Sequence, residues 1–283
     1  MINSKSEIAI LMATYNGEKY LGEQIDSILA QTYHDWHLYI HDDGSKDGTL
    51  SIIQEYVLNH PDKITLLDYP SQGGACKNFL SLLERVEAPY YMFCDQDDVW
   101  LPEKIEKKYA KIRELEKENH HTPIVVYSDL IVTDSNLNTI SPSLWNIAGI
   151  YPEFVKSFDE MAANTLMSGC AMLFNHDAKI TVPPIKENIT MHDAWIACCV
   201  AKQNGILYPI KQPTIFYRQH SANALGAQDV RNPTLIKRIR RFSTSYKRNK
   251  EHYLMLRNLS YGSIFKYIRY KLAYRVKIKG MSK

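Results

Sequence analysis

Short apolar runs alternate with segments of helical period through the first 120 residues, and this alternation constrains the possible folds more than any other feature. Residues 8–15 (IAILMATY), 37–43 (HLYIHDD), 64–69 (ITLLDY) and 90–95 (YYMFCD) read as strands buried on both faces. Between them, 18–31 puts Leu21, Ile25, Ile28 and Leu29 on one helical face. A second helix aligns Leu50, Ile53 and Val57. A third, opened by Gly73-Gly74, carries Phe79, Leu82, Leu83 and Val86. A fourth has Pro102 in its first turn and Ile105, Tyr109 and Ile112 on one side. Its run of Lys and Glu reads as a solvated face. Such alternation predicts an α/β fold with a mainly parallel sheet and helices on both faces.

The second half is less regular. Residues 124–134 and 170–174 are strand-like, 136–168 shows little period, and 214–220 ends the body on another strand. Residues 192–204 suit a helix with Trp195 and Cys199 inward and Gly205 as its cap. We expect one domain over 1–230 in two halves that meet at about residue 120, the later one building an acceptor surface. No apolar run is long enough to span a bilayer, and the N-terminus lacks signal-peptide features. Cysteines 76, 94, 170, 198 and 199 show no metal or redox spacing, so reduced thiols and an intracellular location are expected.

In parallel sheets, ligands sit at the carboxyl ends of the strands. Thr14-Tyr15-Asn16, Asp42-Asp43 and Asp95-Gln96-Asp97-Asp98 all fall there. Asn, Asp and Gly are also ordinary turn formers, so any one cluster alone is weak evidence. Three neighbouring carboxylates repel unless a hard cation such as Mg²⁺ or Mn²⁺ bridges them to substrate phosphates. Two chemistries fit: metal-assisted departure of a nucleoside diphosphate from a sugar, or phosphoryl transfer through an aspartyl nucleophile. The second, a haloacid-dehalogenase-type phosphatase, matches DxDx(T/V) at Asp95 to Val99, but its motif belongs on the first core strand. Walker A and GxGxxG patterns are missing. A non-catalytic nucleotide-sugar-binding protein is a third reading.

The segment ILMATYNGEKYLGEQIDSILAQTYHDWHLYIHDDGSKDGT resembles the start of a family-2 inverting glycosyltransferase of GT-A fold. GGACKNFLSLL, FCDQDDVWLPEKI, SGCAMLF, MHDAW and YRQHSANALG follow in family order, spanning roughly residues 8–226. HDAW and YRQHSAN look most like bacterial rhamnosyltransferases of O-antigen and capsule assembly. The resemblance implies a dTDP-rhamnose or UDP-sugar donor and a saccharide acceptor carried on a lipid diphosphate. By the same resemblance, Thr14, Tyr15 and Asn16 line the nucleoside pocket, with Tyr15 against the base, and Asp43 accepts the pyrimidine N3–H. Lys77 stands where the family often has Arg near the diphosphate. Asp95 meets the ribose or the metal, Asp97 is the main metal ligand, and Asp98 is a further ligand or an orienting partner.

Asp193 matches the catalytic base at the start of a helix, where a carboxylate is favoured. Read from residues alone, it would instead N-cap that helix. His192 would touch the acceptor or face solvent. His220 would be a third metal ligand or a diphosphate donor, although a lone His is more often structural. Arg218 would pair with phosphate or with body carboxylates. Trp100, Trp145 and Trp195 would stack on sugars or pack in the core, and the His120-His121 pair would be surface.

The near-neutral total charge of +3 conceals a division. Residues 231–283 hold sixteen Lys or Arg against one acid, Glu251, a net +15, while residues 1–230 carry −12. At 264–278 the bases interleave with Ile264, Phe265, Ile268, Leu272 and Val276 at helical spacing. Such a basic amphipathic helix suits an anionic membrane surface better than nucleic acid, since the body carries no nucleic-acid motif. Folding against the acidic body, or pairing subunits in a homodimer, are the other readings. Peripheral attachment at the inner face of the cell membrane is expected.

Overall fold

Ile8–Thr14 forms an interior strand because nearly every residue in it is apolar and both faces are covered. The structure, a computed structural model, describes residues 1–4, 6–164, 166–184, 188–220 and 247–281. Even positions Ile8, Ile10 and Met12 point into one core with Leu21, Ile25, Ile28, Ile53, Ile105 and Ile112. Odd positions Ala9 and Leu11 point into a second core with Phe79, Leu82, Leu83 and Ile196. The strand's two-residue period therefore divides the helices between the two faces.

The main sheet has seven strands in the spatial order Ile206–Ile210, Ile124–Ser128, Met172–Asn175, Tyr90–Cys94, Ile8–Thr14, Trp36–Asp42 and Ile64–Leu66. All pairings are parallel except those of Met172–Asn175, which runs antiparallel to both neighbours. A four-stranded sheet combines Thr139–Ser141, Ile131–Thr133, Ile215–Arg218 and Val99–Trp100. It fastens the chain after the acidic cluster to the end of the body.

Several details correct the sequence reading. The helix Lys104–Glu118 starts after Pro102, with Glu103 at its N-cap. Its charge run is not wholly solvated, because Lys104 and Lys108 are fully buried. Leu50, expected on the inner face of Thr49–Asn59, is instead 37% exposed. Residues 124–134 divide between the two sheets, and the strand Ile206–Ile210 was not foreseen. The "irregular" 136–168 contains the short helices Leu144–Ala148 and Phe158–Ala163. The helix His192–Lys202 closes through Gln203 and Asn204, and Asn204 at φ 57° takes the left-handed position expected of Gly205.

After the undescribed residues 221–246, the chain is helical over 247–257 and again over Ile264–Met281. Met255, Leu256, Leu259, Tyr261 and Tyr267 join Trp195 and Cys198 in a third core cluster. Lys266 pairs with Asp159 at 2.6 Å, and Lys277 with Glu160 at 2.9 Å. Part of the basic tail thus lies on acids of the body.

Candidate active site

The parallel register brings the polar strand ends to one edge: Thr14 pairs with Asp42, and Met12 with Cys94, the residue before Asp95. The Thr14 hydroxyl donates to Asp42 at 2.9 Å. Asp42 also accepts the Gly44 and Ser45 amides at 3.0 and 2.7 Å. Asn16, at φ 49°, donates its amide to Ser45 Oγ and accepts from the Lys46 amide, each at 2.8 Å. These bonds join the two loops into one wall. Gln96 clasps the Tyr15 backbone, accepting its N–H at 2.9 Å and donating to its carbonyl at 3.0 Å. Gly17 permits this approach, since a Cβ there would lie 2.4 Å from Gln96 Oε1. The Tyr15 residue is 54% exposed, which leaves its ring available to a ligand.

Asp43 holds the neighbouring loop. Its carboxylate accepts the Ser71 hydroxyl at 2.8 Å and the amides of Gln72, Gly73 and Gly74 at 2.5, 3.2 and 2.7 Å. Burial would raise its pKa, but the hydroxyl and three amide bonds outweigh that and hold it below the ordinary carboxylate range. Beneath the same loop, His41 bridges Asn78 Oδ1 at 2.7 Å and the Tyr69 carbonyl at 2.9 Å, stacked on the Tyr69 ring. Lys77 is exposed in the first turn of Ala75–Arg85.

The acids after Tyr90–Cys94 behave differently. Asp95 is pushed up to about 7, by burial first and then by the charges of Asp97 and Asp193. Asp98 is fully buried and likewise raised by burial and by Asp95 and Asp97; one oxygen accepts the Arg218 amide at 3.2 Å and the other has no partner. Asp97 lies 2.8 Å from His220 Nε2. The structure therefore brings together Asp95, Asp97, Asp98, Asp193 and His220.

A divalent cation fits this cluster. Ligand atoms of Asp95, Asp98 and Cys170 lie within 4.8 Å of one another, but burial keeps the Cys170 thiol protonated by raising it well above its ordinary value. Asp98 is fully buried, whereas Asp97 and His220 keep side-chain exposures of 17% and 13%. Asp97 and His220, expected as ligands with Asp95, pair with each other and are not part of that close group.

The base candidate, Asp193, occupies the first turn of His192–Lys202, while the N-cap position itself is Met191. Its carboxylate accepts the Gly169 amide at 3.1 Å and the Ala194 amide at 2.6 Å. Gly169 is required at this point, because a Cβ would lie 2.3 Å from His192 Nε2. His192 does not face solvent: it is buried against Phe79 and Phe93, and burial lowers its pKa. Trp195 is fully buried in the third core cluster, so it cannot touch an acceptor. Trp100 and Trp145 are core residues too, and His120 and His121 lie at the surface. Arg218 takes the body-carboxylate option. It pairs with Glu23, donates to the Asp97 carbonyl at 2.9 Å and the Ser135 carbonyl at 2.7 Å, and lies over the Tyr20 ring.

Sequence reasoning missed Glu23, the role of Gln96, and Lys104. Lys104 Nζ lies against the Trp100 ring, donates to the Cys170 carbonyl at 2.7 Å and is lowered to about 7 by burial, with Cys94, Cys170, Asp98 and Asp95 opposing that shift. The available signal was spacing: Lys104 and Lys108 continue a row that ends on the buried Ile112.

The family model described as Glycosyl transferase family 2 matches residues 9–178. The chain belongs to that family. This family-2 glycosyltransferase is 30% identical over 236 residues to dTDP-rhamnosyl transferase RfbG of Shigella flexneri, covering 76% of the chain and 74% of the relative. It is 34% identical over 133 residues to the putative glycosyltransferase EpsE of Bacillus subtilis, covering 47% of the chain and 46% of EpsE. Among solved structures, S. aureus TarS 1-349 in complex with UDP-GlcNAc is similar with a TM-score of 0.56 at 19% identity, over 79% of this chain and 62% of that one. The mannosyltransferase PcManGT of Pyrobaculum calidifontis, in complex with GDP-Man and Mn²⁺, gives 0.55 at 15% identity over 98% and 86%. These neighbours share the GT-A fold. The acidic motif follows the fourth strand along the chain in the main sheet, which removes the support for an aspartyl phosphatase.

Proposed function

We propose that this glycosyltransferase moves L-rhamnose from dTDP-β-L-rhamnose, with inversion, onto a saccharide carried on a lipid diphosphate at the inner face of the cell membrane. The product would belong to a bacterial cell-surface polysaccharide. The observation that carries the reaction is that Asp193 bonds the Gly169 amide, next to the Cys170 whose thiol approaches Asp95 and Asp98, while Asp97 pairs with His220. The likeness to a dTDP-rhamnosyl transferase supports the donor.

In this reading the exposed Tyr15 ring packs on the base, and Asp43 Oδ2, with only the Gly74 amide on it, accepts the pyrimidine N3–H. Lys77 approaches the diphosphate as a point charge. Mn²⁺ or Mg²⁺ on Asp95, Asp97 and His220 would supply the positive charge that helps the nucleoside diphosphate depart. Asp98 keeps the Arg218 strand against the acidic loop and so acts as a positioning residue. Asp193 removes the proton from the acceptor hydroxyl as that oxygen attacks the anomeric carbon opposite the leaving diphosphate. The Gly169 and Ala194 amides fix the direction of its carboxylate.

A thermal-shift panel of dTDP-, UDP- and GDP-sugars with Mn²⁺ or Mg²⁺ tests the assignment. The largest stabilisation is expected from dTDP-rhamnose with metal. A larger shift with any GDP-sugar would contradict the pyrimidine reading of Asp43.

A further inference from the structure

The helix Ile264–Met281 has two apolar faces, and the described residues cover one of them. Tyr267 and Tyr274 are buried against the body, and Tyr274 Oη accepts the Tyr151 amide at 2.8 Å. On the other side Phe265, Ile268, Leu272 and Val276 are 79%, 45%, 53% and 71% exposed. Their spacing of three and four residues makes them one continuous stripe. The bases sort with these faces. Lys266 and Lys277 turn to Asp159 and Glu160, whereas Arg269, Arg275 and Lys279 are exposed and fall within or beside the apolar stripe.

We propose that this face of the helix docks on an anionic lipid surface, inserting Phe265, Ile268, Leu272 and Val276 among the acyl chains while Arg269, Arg275 and Lys279 contact the headgroups. Charge selects this occupant: the tail from 231 onward contains sixteen bases and the single acid Glu251. Size argues against a second copy. From Phe265 to Val276 the stripe is about 17 Å long on a helix about 10 Å wide. Two such stripes in contact would bury a few hundred Å², against roughly 1,200 Å² for a stable specific interface. Among the described residues no helix is long and apolar enough to cross a membrane, so the contact would be a surface one. This inference rests on the membrane part of the proposed function and is independent of the sugar transferred.

The test is flotation of the full chain with phosphatidylcholine vesicles containing 30% phosphatidylglycerol (about a third anionic lipid, enough for electrostatic attraction), beside pure phosphatidylcholine. The protein should float with the anionic vesicles and at least tenfold less with the neutral ones. A triple variant, Phe265→Ser, Leu272→Ser and Val276→Ser, changes only exposed side chains. It should lose flotation at least tenfold with an unaltered melting temperature and unaltered transfer to a water-soluble acceptor. Equal flotation by the triple variant, or none by the wild type, overturns the docking face. So does a wild-type dimer, or a complex with duplex DNA, that the variant abolishes without any vesicle binding. Flotation without any sugar transfer by the wild type would instead remove the proposed function and leave the docking face standing.

Discussion

Asp43 and Asp95 follow the two strands that flank Ile8–Thr14, yet their surroundings are opposite. Asp43 is held by a hydroxyl and three backbone amides, three of these four bonds on Oδ1, and its charged form is favoured. Asp95 faces burial and two further carboxylates, and its charged form is disfavoured. The first arrangement is favourable as it stands and keeps one carboxylate oxygen open to a ligand. The second is unfavourable until a cation or a ligand arrives. Electrostatic conflict, more than the density of acids, separates the chemical part of this edge from its scaffold.

The contrast breaks most visibly if the conflicted side is removed. Asp97→Ala should lower transfer by about 10³-fold, since several kcal/mol of leaving-group stabilisation goes with it. Initial rates across a Mn²⁺ titration would show this, and full activity in excess chelator would end the metal assignment. His220→Ala is expected to raise the required metal concentration roughly 10–100-fold while leaving saturated turnover nearer to normal. On the hydrogen-bonded side, Asp43→Ala should raise the donor KM about tenfold and cost about 1 kcal/mol of stability, with kcat largely kept. A fall in kcat equal to the change in kcat/KM would instead place Asp43 in the chemical step.

The smallest effect is on the pH dependence of the metal-free protein. Asp95 binds its proton more tightly folded than unfolded, so its contribution is fully present below about pH 4 and is lost as pH rises through about 7. Asp43 has the opposite sign: its contribution is present above its ordinary value and is lost in acid. Melting temperatures between pH 5 and 7.5 should therefore drift downward without metal. Asp95→Asn should flatten that drift, as should added Mn²⁺.

Much of this was legible in the sequence, for identifiable reasons. Ile8–Thr14 and Tyr90–Cys94 are near-continuous apolar runs whose polar successors could only lie at the strand ends. The meeting of His220 with Asp97 spans 123 residues and was visible only through family resemblance. Lys104 and Lys108 were misread because charge outweighed spacing; Nζ of one finds a carbonyl and that of the other two hydroxyls inside the protein. Trp195 and His192 flank a base candidate on a helix buried nearly all round, where no single amphipathic face announces which side is the core. The antiparallel Met172–Asn175 strand has no local signature, since alternation and apolarity are the same in either direction.

The central claim is that Asp193 is the base of an inverting transfer whose donor site is assembled separately. Its most direct test is Asp193→Asn, with donor affinity measured by calorimetry and a single turnover followed with donor, Mn²⁺ and acceptor. Affinity within about twofold of the wild type and transfer slower by roughly 10³-fold are expected. Unchanged turnover by this variant would contradict the claim.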